Sequence, residues 1–307
     1  MAALRVAVVG LGVISRFYLR AAEALDSFAL AAICDVRPEA LAPFRARVAC
    51  YDDHRAMLAA APLDAVIVTV PNDVHATVCR DALTAGVAVC VEKPLATTLA
   101  DGRALNELAS DRGVTLFTAF HRRYNTHVLD LLRALPDRPP VESVTVRYFE
   151  RIEDHVGEDR WYLDPARCGG GCVADNGPNA FDLARLFAGE LQVREAVVTR
   201  DCQRIDRRAR IDLCSRAGVP ARVELDWSFP GERKEVELRF AGGDVHVADM
   251  LAGYEGFKSS LWHEYAGILE DFSHAVCERR RDAGGLAALA LVDAVYRAEH
   301  DGERAAS

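Results

Sequence analysis

At 307 residues, half of them hydrophobic, the chain is longer than one ordinary core, and two domains are expected. A formal net charge of -9 argues against nucleic acid as a partner, and no apolar run approaches the roughly 20 residues of a membrane span. Met1 to Arg5 lead straight into a strand-like run rather than a signal peptide, and the nine cysteines are scattered without a disulfide pattern, so a soluble cytoplasmic protein is expected.

Val6-Ala7-Val8-Val9 is a continuous apolar run of the kind found in a strand buried on both faces, and it enters Gly10-Leu11-Gly12-Val13-Ile14-Ser15. Phe17, Leu19, Ala22 and Leu25 then recur at helical spacing. Strand, glycine turn and helix in this order form the setting in which a dinucleotide pyrophosphate is held. Gly10 permits the turn, Gly12 lets the backbone approach the phosphates at the helix N-terminus, and Val13 and Ile14 are candidate contacts beside them. Ser15 stands where the fingerprint has its third glycine. A second buried strand, 28–34, runs into Asp35, an acid placed to accept hydrogen bonds from ribose hydroxyls. That favours NAD(H), while Arg37, able to pair with a 2′-phosphate, keeps NADP(H) open.

A third strand, 65–70, stops at Pro71-Asn72, and a helix carrying His75, Val78 and Ala82 follows. The strand 87–91 then enters Glu92-Lys93-Pro94, and a helix over 99–111 leads to a strand over 114–120. Strands alternating with helices predict a doubly wound parallel sheet with ligands at the carboxyl ends of its strands. Val70, Pro71, Asn72, His75, Glu92 and Lys93 are therefore further candidates for coenzyme contact, and Arg122 and Arg123 lie at the next strand end.

Of the 37 basic residues, 34 are Arg; only Lys93, Lys234 and Lys258 are Lys. Arg cannot give up its proton, whereas a partly buried Lys can, so Lys93 reads as a proton-transfer group. The plainer alternative is a Lys that caps the end of a buried strand.

The second half changes character. Residues 143–149, 196–200, 210–214, 221–227, 234–240 and 244–247 alternate apolar with polar, as half-exposed antiparallel strands do. Val223, Leu225 and Trp227 form one face, and Arg222, Glu224 and Asp226 the other. Two closing helices, about 261–281 and 286–299, have apolar faces and are expected to return to the first domain. Cys168 and Cys172 flank three glycines without a matching second pair, so no metal site is expected.

Gly-Leu-Gly-Val-Ile-Ser at 10–15, Val-Pro-Asn-Asp-Val-His at 70–75, Glu-Lys-Pro-Leu-Ala at 92–96 and Phe-His-Arg-Arg-Tyr-Asn at 120–125 occur in that order. The chain resembles, over essentially its whole length, the glucose-fructose oxidoreductase, inositol dehydrogenase and MocA family of NAD(P)-dependent oxidoreductases. The resemblance implies an α/β fold, with a dinucleotide-binding Rossmann domain over 1–121. It also implies an α+β domain over 122–307 with a large open, mainly antiparallel sheet, which binds substrate and joins the chains of a homodimer or homotetramer.

The segment Gly169-Gly170-Gly171-Cys172-Val173-Ala174-Asp175-Asn176-Gly177-Pro178-Asn179-Ala180-Phe181-Asp182 resembles the family's Gly-Gly-Gly, Asp, Gly, His, Asp element. Asn179 replaces the His that serves as general acid or base in the inositol dehydrogenase branch, and the aldose 1-dehydrogenase branch resembles this chain in having Asn there. What the resemblance implies is hydride transfer between a nicotinamide and a sugar, polyol or cyclitol-like alcohol or ketone. Lys93, Asp175 and Asn179 are the catalytic candidates, with Arg122, Tyr124, Asn125, Trp161 and Asp182 in the substrate pocket. The rival readings are a keto-sugar or imine reductase of a biosynthetic pathway, and a non-catalytic dinucleotide-binding sensor.

Overall fold

The computed structural model describes residues 2–156, 160–256, 258–280 and 284–306. The chain forms two compact units, Met1–His121 with Leu261–Leu286, and Arg122–Ser260 with Ala287–Ser307.

The first unit is built on strands β1 (Leu4–Val9), β2 (Phe28–Cys34), β3 (Ala49–Tyr51), β4 (Ala65–Val68), β5 (Ala88–Glu92) and β6 (Leu116–Ala119). They pair in the order β3-β2-β1-β4-β5-β6, all parallel. The helices between them are α1 (Ser15–Ala24), α2 (Pro38–Leu41), α3 (His54–Ala60), α4 (Asn72–Thr84) and α5 (Leu99–Arg112). β4, β5 and β6 are buried at every residue, which is why their sequences read as mainly apolar runs, broken only by Glu92 and Thr118. The order reverses between β1 and β4, and the turns after those two strands open a crevice at the switch point. β3 is an edge strand of three residues, too short to show a period in the sequence.

In the second unit come α6 (Thr126–Ala134), β7 (Val141–Arg151), α7 (Glu153–Val156), α8 (Pro165–Cys168), α9 (Cys172–Asp175) and α10 (Gly177–Ala188). Strands β8 (Leu191–Arg200), β9 (Asp206–Ser215), β10 (Pro220–Asp226), β11 (Ser228–Phe240) and β12 (Val245–Asp249) complete a six-stranded sheet of order β12-β11-β7-β10-β9-β8. β7 and β10 run parallel and the other pairs antiparallel. Val144, Val146 and Tyr148 of β7 turn to the core, where Phe181 and Ala184 of α10 pack. The opposite face is an ion-pair lattice. Arg147 lies beside Glu224 and Glu235 in the register, with its guanidinium 3.0 Å from the first carboxylate and 2.7 Å from the second. Arg222 pairs with Asp212 and Arg208 with Asp226 in the same way. Charge therefore suits this face to water without help from a partner.

Of the two closing helices, α11 (Leu261–Glu278) belongs to the first unit. Trp262 and Tyr265 pack their rings against Phe17 and Tyr18 of α1, and Phe272 against Phe117 of β6. The last helix, α12 (Gly284–Ala306), does not follow it: Leu291, Val292 and Val295 are buried in the core of the second unit.

Candidate active site

In the first unit, the turn after β1 depends on Gly10. Its φ of 93° lies in the left-handed region, and a Cβ there would stand 2.8 Å from the backbone of Thr69 and Val70. A Cβ on Gly12 would meet nothing within 4 Å, so the missing side chain leaves open space before the helix. Helix α1 has no side-chain cap; Ser15, at the fingerprint's third position, turns its hydroxyl back onto the Gly12 carbonyl at 2.7 Å. Open space, uncapped backbone N–H groups and a close backbone turn are what a dinucleotide pyrophosphate requires.

Asp35 is nearly buried and accepts from Leu11 N at 2.7 Å, Arg37 N at 2.8 Å and Arg37 Nε at 3.1 Å. Burial pushes its pKa up, but these hydrogen bonds and the Arg37 charge outweigh that and hold the carboxyl below its ordinary range. Arg37 is itself half-exposed and reaches Leu11 O at 3.2 Å. Asp35 and Arg37, the residues expected to choose between a ribose hydroxyl and a 2′-phosphate, are thus held together.

Lys93 is half-buried after β5, joined to Pro94 by a cis peptide bond. Two neighbours expected at the coenzyme, His75 and Glu92, are held by protein partners. His75 is fully buried, its Nδ1 2.7 Å from Pro94 O and its Nε2 2.9 Å from Val70 O, so both ring nitrogens face backbone carbonyls. Glu92 is buried and accepts from Tyr18 Oη at 2.8 Å. Burial raises its pKa, against the pull of Lys93, Tyr18 and Tyr265. Both side chains brace the walls of the turn from behind.

In the second unit, Asp175 ends α9, and Asn179 lies in the first turn of α10; both are buried. The three glycines before them have packing reasons. Gly169 caps α8 at φ 94°, a Cβ on Gly170 would run into the Tyr296 hydroxyl, and one on Gly171 into the backbone of Asp206. Asp206, fully buried, accepts from Val173 N at 2.8 Å and from Tyr296 Oη at 3.1 Å. Burial raises its carboxyl pKa despite these donors and Arg200.

Three of the expected substrate contacts are already engaged within the second unit. Asn125 is the N-cap of α6: its Oδ1 accepts from His127 N at 3.1 Å, and its Nδ2 donates to Met250 O at 3.0 Å. Asp182 is buried in a two-point ion pair with Arg123, one bond of which is 2.9 Å. Arg122 is buried, donating to Ser260 Oγ at 3.1 Å and Tyr148 Oη at 3.4 Å. Tyr124 and Trp161 are half-buried, and Trp161 stacks on Tyr162 with ring centroids 3.8 Å apart. Sequence reasoning missed Asp206, Glu150 and Lys234. For Lys234 a signal existed, since it is one of only three lysines.

The model of an oxidoreductase family with an NAD-binding Rossmann fold, Gfo/Idh/MocA, matches residues 4–120, and that of the Gfo/Idh/MocA C-terminal domain matches residues 140–246. D-xylose 1-dehydrogenase (NADP(+)) 2 of Haloferax volcanii is 33% identical over 226 residues, 72% of this chain and 68% of its own. Inositol 2-dehydrogenase of Rhizobium meliloti is 27% identical over 327 residues, 95% of this chain and 96% of its own. The crystal structure of GenD2 from gentamicin A biosynthesis in complex with NAD has a TM-score of 0.88 at 21% identity, covering 98% of this chain and 95% of that one. KijD10, a 3-ketoreductase from Actinomadura kijaniata in complex with NADP and TDP-benzene, has a TM-score of 0.81 at 24% identity, covering 96% and 98%. These structural likenesses bear on the fold. The fold and the coenzyme turn define an NAD(P)-dependent oxidoreductase. The chain belongs to the Gfo/Idh/MocA family.

Proposed function

We propose that the protein interconverts a secondary alcohol and its ketone on a sugar, polyol or cyclitol. The observation that carries this reading is the buried Asp175 and Asn179 pair, four residues apart where helix α9 passes into α10. A carboxylate and an amide suit a hydroxyl, one taking its proton and the other orienting it. The relatives named above as D-xylose and inositol dehydrogenases support the substrate class.

The dinucleotide supplies or accepts the hydride. Gly10, Gly12 and the uncapped start of α1 hold its pyrophosphate, and Asp35 its adenosine ribose, with NAD(H) preferred. Lys93 hydrogen-bonds the reacting oxygen and stabilises negative charge there. Asp175 carries the proton, because Asn179 cannot do so near neutral pH. Tyr124 and Trp161 are kept as substrate contacts. We place the enzyme in the cytoplasm, in keeping with nine free cysteines, and as a homodimer or homotetramer, to be checked by light scattering at micromolar concentration.

The test is turnover with NAD and NADP over a panel of pentoses, hexoses and inositols. Asp175→Asn and Lys93→Ala should each lower kcat by roughly 10²–10⁴-fold with coenzyme affinity intact. If Lys93 and Asp175 relay the proton as a unit, Lys93→Arg should fail nearly as badly, because Arg keeps the charge but cannot release its proton. An active Lys93→Arg enzyme with an unchanged pH profile reduces Lys93 to a positioning charge. No turnover on any substrate, with the dinucleotide bound, turns the reading to a sensor.

A further inference from the structure

Glu150, near the end of β7, is buried and divides its carboxylate between two donors. Its Oε1 accepts from Asn176 Nδ2 at 2.9 Å, and its Oε2 lies 2.7 Å from the Lys234 ammonium. Lys234 also meets Glu232 Oε1 at 2.7 Å and stands 4.9 Å from the centre of the Tyr148 ring, while His155 Nε2 lies 3.0 Å from Glu232. Glu150, His155 and Glu232 bring ligand atoms within 4.8 Å of one another, as a cation site would. The Lys234 ammonium, bonded to both carboxylates, already serves as that cation.

Glu150 and Lys234 keep their charges near neutral pH. Burial pushes Glu150 up, but Lys234 and His155 bring it down to about 2, and the carboxylates raise Lys234 above its ordinary value against burial. A carboxylate and an ammonium with fixed charges hold a neighbour in place rather than relay a proton. What it holds is Asn176, which joins α9 to α10, does not cap α10 with its side chain, and gives its amide to Glu150 instead. Asn176 follows Asp175 directly and precedes Asn179 by three residues, so its anchor sets the rotation of the helix start that carries both.

We propose that Asn176 is a positioning residue, clamped by Glu150 and Lys234 so that Asp175 and Asn179 meet the substrate hydroxyl in one fixed orientation. The proposal rests on the reading of Asp175 and Asn179 given above. Asn176→Asp keeps the shape and sets two carboxylates against each other, among Glu150, Lys234, Glu232, His155 and Asp175. Like charges at that distance share a proton at low pH and repel once it is lost.

With NAD and whichever of D-xylose, D-apiose or myo-inositol is turned over fastest, kcat of Asn176→Asp should fall by about 10²-fold at pH 8. It should recover as the pH is lowered, with the KM for NAD unchanged throughout. Adding Glu150→Gln to that variant restores a donor and acceptor pair in reverse and should restore kcat at pH 8. Wild-type kcat in Asn176→Asp at pH 8, or a double variant no faster than the single one, overturns the proposal. Should Asn176→Asp not fold, Asn176→Ser removes the amide without adding charge: a fall in kcat at unchanged KM for NAD supports the clamp, and wild-type kcat refutes it. An Asp175→Asn enzyme at the wild-type rate refutes the proton-carrier reading instead, whereas a dead Asp175→Asn beside a fully active Asn176→Asp refutes the positioning role alone.

Discussion

His75 Nδ1 lies 2.7 Å from the carbonyl oxygen of Pro94, tying helix α4 to the turn that carries Lys93. Burial pulls the ring's pKa down and the two facing carbonyls pull it up; burial wins, and the pKa falls to about 4. A folded pKa depressed below the unfolded value of about 6.5 gives stability that is complete above that pH and is lost as the pH falls toward 4. His75→Gln should cost about 1–2 kcal/mol at pH 7.5. The difference in unfolding free energy between wild type and variant should shrink between pH 7 and pH 4. A difference that grows on acidification would mean that the folded protein holds an imidazolium.

Two glycines of one turn should fail in different ways. Gly10→Ala combines a left-handed φ with backbone atoms at 2.8 Å, and should lower both the melting temperature and the affinity for NADH. Gly12→Ala meets nothing within 4 Å and should melt like wild type, yet bind NADH more weakly because its methyl enters the phosphate space. Thermal unfolding beside a NADH fluorescence titration separates the two. Equal melting losses would contradict this account of the turn.

Asp35→Ala should weaken NAD(H) more than NADP(H), since the carboxylate that favours ribose hydroxyls is lost while Arg37 is released from it. The measurement is the ratio of the two dissociation constants. A wild type that already prefers NADP(H) severalfold would make Arg37 the governing residue.

Asp206→Ala should destabilise by about 3 kcal/mol, because Val173 N–H, Tyr296 and Arg200 lose a buried acceptor together. Gly171→Ala, which pushes a methyl into the Asp206 backbone, should do comparable damage. Denaturant unfolding reads both. A loss below about 1 kcal/mol for Asp206→Ala would show that water replaces the carboxylate easily.

The first unit could be read from the sequence because its physics is local. Apolar runs, Gly10 and Gly12 state what every strand but β3 and the first turn must be, and the six alternating strands of the second unit follow from a period of two. Side-chain direction was less legible. His75, Glu92 and Asn125 sit beside the right turns, but which way each points depends on Pro94, Tyr18 and Met250, partners 19, 74 and 125 residues away. The clamp on Asn176 was hidden for the same reason, since β7 and β11 bring Glu150 and Lys234 together only across the sheet. Helix α12 was misplaced because an apolar face shows that a helix is covered without showing by what.

Helix α11 closes the first unit from far along the chain, and this sets the order of events at the ribosome. The coenzyme-binding strands are complete by Ala119, yet Phe17, Tyr18 and Phe117 wait for Trp262, Tyr265 and Phe272. At typical synthesis rates, the delay while the second unit is made is on the order of ten seconds. Until α11 is made, these rings of α1 and β6 lack their α11 partners. A fragment ending at His121 lacks the helix that completes its own unit, and should bind NADH more weakly than the full chain.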